Sequence, residues 1–329
     1  MLRDTPRTSS YLAAIEQGAE EYFKGKFVMD VGAGSGILSL AAARAGARRV
    51  YAVEASGMVT LLSQVISANG FDEIISVCAC PVENLEFPLD ESDSKVDVIV
   101  SEWMGFYLLH ESMLDSVLFA RDKFLKPEGL LFPSTATISL SVASLPEAWD
   151  EAVDWVSKPF CGFDLSALHG PLLQKALAEP AIRTVKTEEL FAEPKSIFTL
   201  DLTTLKVEEL SHLHTQTTVK CVADGTLHAY VLWFDVYFPG KDALVCLSTA
   251  PWHPETHWKQ SVVWFGKEAP AVAGLNLGVE VYLRQNERNK RRYDISLEIS
   301  DAWHAEEGVG AEAGAQSSEG AGGAAGFSG

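Results

Sequence analysis

The sequence predicts a doubly wound, parallel α/β sheet followed by a second, antiparallel β domain. Two observations predict it. From Lys26 to about Pro133, short apolar runs ("KFVMDVG", "RRVYAVE", "IISVCA", "VDVIVSE") alternate with amphipathic segments of helical period, the pattern of parallel strands joined by crossover helices. After Pro133 the strand-like runs follow one another: "TATISLSVAS", "KSIFTLDLTT", "TLHAYVLWFDVYF", "ALVCLST", "KQSVVWF", "VEVYLRQ" and "YDISLEIS". Such a succession suits an antiparallel barrel or sandwich.

The chain therefore divides into residues 1–134, residues 135–303 and a tail, 304–329. The tail is Gly, Ala, Ser and Glu with almost no large apolar side chain, so it cannot offset the entropy of ordering and is expected to be disordered. Between the first strands of the second domain lies an insertion at about 147–182, too long for a turn and helical where it is periodic. There are no internal repeats.

Bulk properties narrow the function. At 329 residues and 47% apolar composition the chain can bury two cores, and no apolar run reaches the roughly 20 residues that span a bilayer. The start "MLRDTPRTSS" lacks the basic-then-apolar layout of a signal peptide. Five scattered cysteines without C-x-x-C spacing read as reduced thiols in cytosol or nucleus. A formal charge of −19 argues against direct nucleic-acid binding and would attract a basic protein substrate, although acidity also serves solubility alone. No metal-ligand spacing is present.

In "VMDVGAGSGILSLAAARAGA" a strand meets a helix through Gly32, Gly34 and Gly36, which let the backbone turn sharply and approach a ligand. A dinucleotide fingerprint, G-x-G-x-x-G, would place its third glycine where Ile37 stands, so a nicotinamide cofactor is disfavoured. Glu54 ends the next strand, where a carboxylate can accept hydrogen bonds from two ribose hydroxyls. Asp30 precedes the glycine turn and Glu83 follows the third strand. Single glycines and strand-end acids occur in any α/β fold. Three consecutive strands with acids at their carboxyl ends suit a cationic, ribose-bearing ligand, and S-adenosyl-L-methionine fits.

Glu102 follows the fourth strand, and Glu111, nine residues on, is expected in the first turn of the helix "ESMLDSVLFARDKFLK". As a bland alternative, Glu111 is only an acid favoured by the helix dipole. A loop from strand to helix can also fold so that the two carboxylates face each other. That pairing is costly unless a cation lies between them, and a planar guanidinium matches two carboxylates bidentately.

At these residues the sequence resembles the protein arginine methyltransferases, whose acceptor loop is matched by "SEWMGFYLLHE". The resemblance extends to about residue 303 through "VMDVGAGSGILS", "YAVEAS", "RDKFLKPEGLLFP" and the loop "THWKQ", Thr256 to Gln260. It implies a Rossmann-like methyltransferase sheet, a β-barrel substrate domain and a dimerisation arm at 147–182 that swaps onto a partner. "MLRDTPRT" looks like the end of the family's N-terminal helix; the Tyr- and Phe-rich stretch that normally precedes it is not in the sequence.

The resemblance also implies roles. Arg7 would bind the cofactor's methionine carboxylate, Glu54 its ribose and Glu83 its adenine, with Asp30 and the three glycines completing the cofactor site. Glu102 and Glu111 would hold the substrate guanidinium, Met104 and Trp258 would line its pocket together with Met1, and His257 would pair with Asp4. The implied reaction is mono- and asymmetric dimethylation (type I) of arginine-rich proteins, histones among them, by a homodimer. Within type I, "VYAVEAS", "NGF" and "THWKQSV" look nearest the protein arginine N-methyltransferase 2 branch. The alternatives are a catalytically weak scaffold or coregulator, and a small-molecule methyltransferase.

Overall fold

In the computed structural model the chain is described over residues 2–86, 95–240 and 245–299. The expected tail and Met1 lie outside the described residues.

The first helix, α1 (Thr5–Gln17), is started by Asp4, whose carboxylate caps the Arg7 amide at 3.1 Å, and Pro6 sits in its first turn. A new helix thus begins within "MLRDTPRT", at Thr5. Tyr11, Ala14 and Ile15 form its buried side.

The parallel sheet follows: β1 (Phe27–Val31), α2 (Ile37–Arg44), β2 (Arg49–Val53), α3 (Val59–Ala68), β3 (Ile75–Cys78), β4 (Val96–Val100), α4 (Met113–Phe124) and β5 (Leu125–Phe132). Its strand order is β3-β2-β1-β4-β5, with every pair parallel. The near-continuous apolar strands have the composition of a sheet covered on both faces. From β1 the chain winds outward to β3 and then returns to the other side of β1 as β4. Ligands of such sheets bind at the carboxyl ends of the strands flanking this reversal. The glycine turn after β1 and Glu102 after β4 stand there.

The second half begins with β6 (Thr135–Ala143), which leads into α5 (Pro146–Ala152) and α6 (His169–Ala178). The remaining strands are β7 (Ala181–Arg183), β8 (Lys195–Asp201), β9 (His212–Lys220), β10 (Gly225–Phe238), β11 (Val245–Ser248), β12 (Gln260–Ala271), β13 (Asn276–Gln285) and β14 (Tyr293–Ile299). They form two antiparallel sheets. One is ordered β7-β12-β10-β6-β8, with β11 also paired to β10; the other is β14-β13-β9. Strand β10 is the spine, its run from Leu227 to Phe234 buried throughout.

A single apolar cluster runs through both halves, joined where Tyr11 of α1 meets Phe238 of β10 edge-on at 4.7 Å between ring centres. A smaller cluster lies under the insertion, built on Trp149, Trp264 and Trp233. Beyond it, Phe160 and Phe163 are 56% and 70% exposed. Among the described residues no helix is long and apolar enough to cross a membrane.

Candidate active site

Gly32, Gly34 and Gly36 have φ of +77°, +54° and +83°, the left-handed region that side chains other than glycine rarely adopt. The amides of Gly32 and Ala33 both donate to the Val53 carbonyl, at 2.9 and 3.0 Å, and so tie the turn to the end of β2. A Cβ on Gly34 would meet nothing nearer than the Gly32 carbonyl at 3.9 Å, which leaves the concave face of the turn open.

Glu54 stands across this turn. Its two carboxylate oxygens accept from the amides of Gly34 and Ser56, each at 2.7 Å. Burial works against its charge, but these amides outweigh burial and hold its carboxyl below the usual glutamate value. Asp30 is buried; one oxygen accepts from the Ser39 hydroxyl at 2.6 Å, while the other has no partner among the described residues. Burial pushes Asp30 up to about 6. A buried acceptor without a donor is costly and fits a site completed by a ligand's cationic or N–H group. Glu83 is exposed and accepts from the Ser116 hydroxyl at 2.5 Å.

Past β4, Ser101 donates to the Val31 carbonyl at 2.7 Å and so fixes the start of the acceptor loop to the end of β1. The Tyr11 hydroxyl donates to the Ser101 carbonyl at 2.9 Å and contacts the Met104 sulfur at 3.4 Å. From the second half, the Trp258 indole donates to the Met104 carbonyl at 3.1 Å. Glu102 is thereby held against Arg7: Nη1 lies 2.9 Å from Oε2, and the two side chains are only 7% and 9% exposed. Burial lifts Glu102 to about 7, opposed by the Arg7 charge and reinforced by Asp4 and Glu111. Arg7 Nε and the Trp103 indole nitrogen, both buried, have no hydrogen-bond partner among the described residues.

Glu111 differs from the expectation. It precedes α4 rather than lying in its first turn, with φ of +79° followed by +53° at Ser112, the residue before the helix. Its carboxylate faces Arg291 at 3.4 Å and is 58% exposed, while its amide donates to the Arg291 carbonyl at 2.6 Å. The two acceptor carboxylates are therefore not closed on a shared group. Each is paired with an arginine of the chain itself: Glu102, desolvated, with Arg7, and Glu111, largely exposed, with Arg291.

Asp4 joins the two halves. Its Oδ2 accepts from the backbone amide of His257 at 2.8 Å and lies 2.6 Å from the ring Nδ1. Burial opposes its charge, yet the hydrogen bonds from His257 and from the Arg7 amide prevail and hold it below the usual aspartate value. A carboxyl with a depressed folded-state value stabilises the fold above the unfolded-state value, and this contribution disappears as pH falls through the folded one. Thermal scans should accordingly show a steeper acid-side loss of Tm for the parent chain than for Asp4→Asn. Parallel curves below pH 5 would dismiss the pair as a stabilising contact.

Of the expected residues, the structure gathers Arg7, Asp30, Gly32, Gly34, Gly36, Glu54, Glu102, Met104, Trp258, Asp4 and His257 around the carboxyl end of β1, β2 and β4 or the loop packed on it. Glu83 stands at the rim and Glu111 is turned outward. Sequence reasoning passed over Tyr11, which reads as ordinary core, and Arg291, whose basic neighbours in "NKRRY" were the available signal.

Residues 135–301 match the family model for the arginine methyltransferase oligomerization subdomain. The chain belongs to the protein arginine methyltransferases. Residues 4–133 of this methyltransferase also match the ribosomal protein L11 methyltransferase model. It is 38% identical to protein arginine N-methyltransferase 6 of Xenopus laevis, over 91% of this chain and 87% of that protein. It is 35% identical to protein arginine N-methyltransferase 1 of Dictyostelium discoideum, over 92% and 85%. Among solved structures, the Trypanosoma brucei PRMT1 enzyme-prozyme heterotetramer with AdoHcy superposes with a TM-score of 0.83 at 33% identity, covering 92% of each chain. PRMT6 with SAH superposes at 0.76 and 29% identity, covering 91% of this chain and 98% of the other.

Proposed function

We propose that this methyltransferase binds S-adenosyl-L-methionine at the glycine turn and methylates arginine side chains of basic proteins. The observation that carries the reading is the Arg7–Glu102 contact: a buried carboxylate beside the cofactor crevice already holds a guanidinium at 2.9 Å. Neighbours of known structure support the cofactor, since two of them contain AdoHcy or SAH.

When bound, the cofactor supplies an electrophilic methyl group. Asp30 and Glu54 provide acceptors for its ammonium and ribose hydroxyls, Glu83 is available to its adenine amino group, and Arg7 is available to its carboxylate. Glu102 and Glu111 would orient the substrate guanidinium toward that methyl group. Their charge leaves electron density on the attacking nitrogen. His257, fixed by Asp4, is positioned as a proton acceptor once transfer is under way.

The reading is tested by labelled methyl transfer to an arginine-rich peptide, with a lysine-for-arginine copy as control. We assign the type I product: Met104 is slim and adaptable and leaves room for a second methyl on one nitrogen. Neutral loss of dimethylamine in mass spectrometry is expected; loss of monomethylamine from a dimethylated residue would overturn it. Glu54→Ala should weaken cofactor binding, because each ribose hydrogen bond to a charged acceptor is worth about 1.5–3 kcal/mol. An unchanged dissociation constant in calorimetry would remove Glu54 from the ribose.

Histones are proposed within the substrate class, and cytosol or nucleus as the location, supported by cysteines that are free throughout the described residues. The relatives reported above carry the numbers 6 and 1, so the motifs that look nearest the number 2 branch stand alone and we assign no branch within type I. The scaffold alternative draws on the outward-turned Glu111. It requires that the enzyme bind cofactor product yet transfer no label.

A further inference from the structure

A cavity of about 310 Å³ lies where the acceptor loop meets the end of α6, β12 and the start of β14. None of the cofactor residues named above lines it. Its walls are aromatic: Phe106 and Tyr107 from the acceptor loop, Trp264 from β12 and Tyr293 from β14. Tyr107, Trp264 and Tyr293 are buried, so these walls are fixed by packing. The Tyr107 hydroxyl and His110 Nδ1 share a hydrogen bond of 3.0 Å, which braces the loop on this side.

The charged groups of the cavity are Glu179, Arg292 and Asp294. Glu179 pairs with the Arg292 guanidinium. Among the described residues Asp294 makes no ion pair; both its oxygens accept from the neutral Asn286 amide at 3.0 Å. Two carboxylates thus stand against one guanidinium in an aromatic-walled space. Aromatic faces attract cations, and the excess carboxylate acts in the same direction. The volume is at the small end of ligand cavities, about 300–1,000 Å³, and suits one side chain rather than a cofactor.

Position supplies the remaining constraint. His110 in the wall precedes Glu111, and Arg292 follows Arg291, the residue that holds Glu111 outward. The cavity therefore lies beside Glu111, within reach of a polypeptide whose arginine is held there.

We propose that the cavity receives a second cationic side chain of the substrate, lysine or arginine, flanking the arginine that is methylated. This rests on the arginine methyltransferase reading and adds to it a basis for choosing among arginines. An occupant here also lies against the segment whose displacement frees Glu111.

The test compares peptides with a single acceptor arginine and either lysine or norleucine at one flanking position, scanned in turn. Lysine keeps the acceptor count at one. The readout is the ratio of KM for the norleucine peptide to that for the lysine peptide, using the full chain. For the parent enzyme the best position should give a ratio of about three- to tenfold. Glu179→Gln should bring the ratio toward one, and Arg292→Gln should raise it. Both side chains are substantially exposed, so neither substitution threatens the fold.

A ratio near one at every position would overturn the proposal. So would a preference for norleucine, which would make the occupant apolar, or a lower KM for a glutamate peptide, which would make it acidic. In each case methylation of the acceptor arginine would persist, leaving the enzymatic reading intact. Absence of methyl transfer to any peptide would overturn both.

Discussion

Glu102→Gln should lower kcat by on the order of 100-fold or more, the cost of removing one preorganised electrostatic partner of a transition state. The site is dry enough for that magnitude, since Glu102 is 9% exposed and Trp103 and Met104 beside it are buried. Glutamine keeps the shape and still accepts a hydrogen bond, so the loss isolates the charge. Burial outweighs the Arg7 charge at Glu102, so a neutral side chain of the same shape should leave the Tm of the ligand-free variant unchanged or slightly higher. A kcat equal to that of the parent, measured with saturating cofactor, would remove Glu102 from the acceptor site.

The same residue sets a pH signature. Its carboxyl is raised to about 7 by burial, and only the ionised form holds a guanidinium. For the free enzyme, kcat/KM should climb as pH rises through about 7. Stability runs the other way. A carboxyl whose folded-state value is raised favours the fold below its unfolded-state value and loses that contribution as pH climbs to the folded one.

Deleting residues 153–176 should convert a dimer into a monomer. The excursion between α5 and β7 carries Trp155 packed edge-on against Phe160, together with Phe163, Leu165 and Leu168. So much exposed apolar surface in one segment marks an interface. A receptor of matching character exists on the first half: a groove of about 230 Å³ between α1 and α2, lined by Leu12, Ile15, Ala19, Ala41 and Ala45, with Glu16 and Arg44 beside them. Reciprocal insertion of the segment into this groove would make a two-fold dimer, in keeping with the oligomerization subdomain that the segment belongs to. Sedimentation decides it. A deleted protein that remains dimeric, or a parent chain that is monomeric at micromolar concentration, would reject the arm.

Much of this was legible in the residues, for identifiable reasons. Strands β1 to β4 were visible because they lie within a covered sheet and are apolar with few interruptions. The glycine turn was visible because positive φ restricts the choice of residue. Two strands escaped. In β9, "HLHTQTTVK", most side chains face solvent or are half-buried, so no apolar alternation announces it. Strand β7 has only three residues, Ala181–Arg183, and takes its conformation from pairing with β12. The state of Glu111 was hidden for another reason: its position depends on Arg291, a residue 180 positions away, and on a left-handed turn that the local sequence does not require.

The Tyr11–Phe238 contact has a bearing on how the molecule folds. By connectivity α1 belongs with the parallel sheet, yet Tyr11 packs on β10 and Asp4 grips His257. The opening residues of the chain thus complete a core whose other wall is made more than two hundred residues later. The boundary near residue 134 divides topology, not cooperativity: neither half retains its buried surface alone, and the nascent chain cannot bury Tyr11 fully until β10 has been synthesised. Some three-quarters of the sequence must emerge before α1 finds its permanent seat.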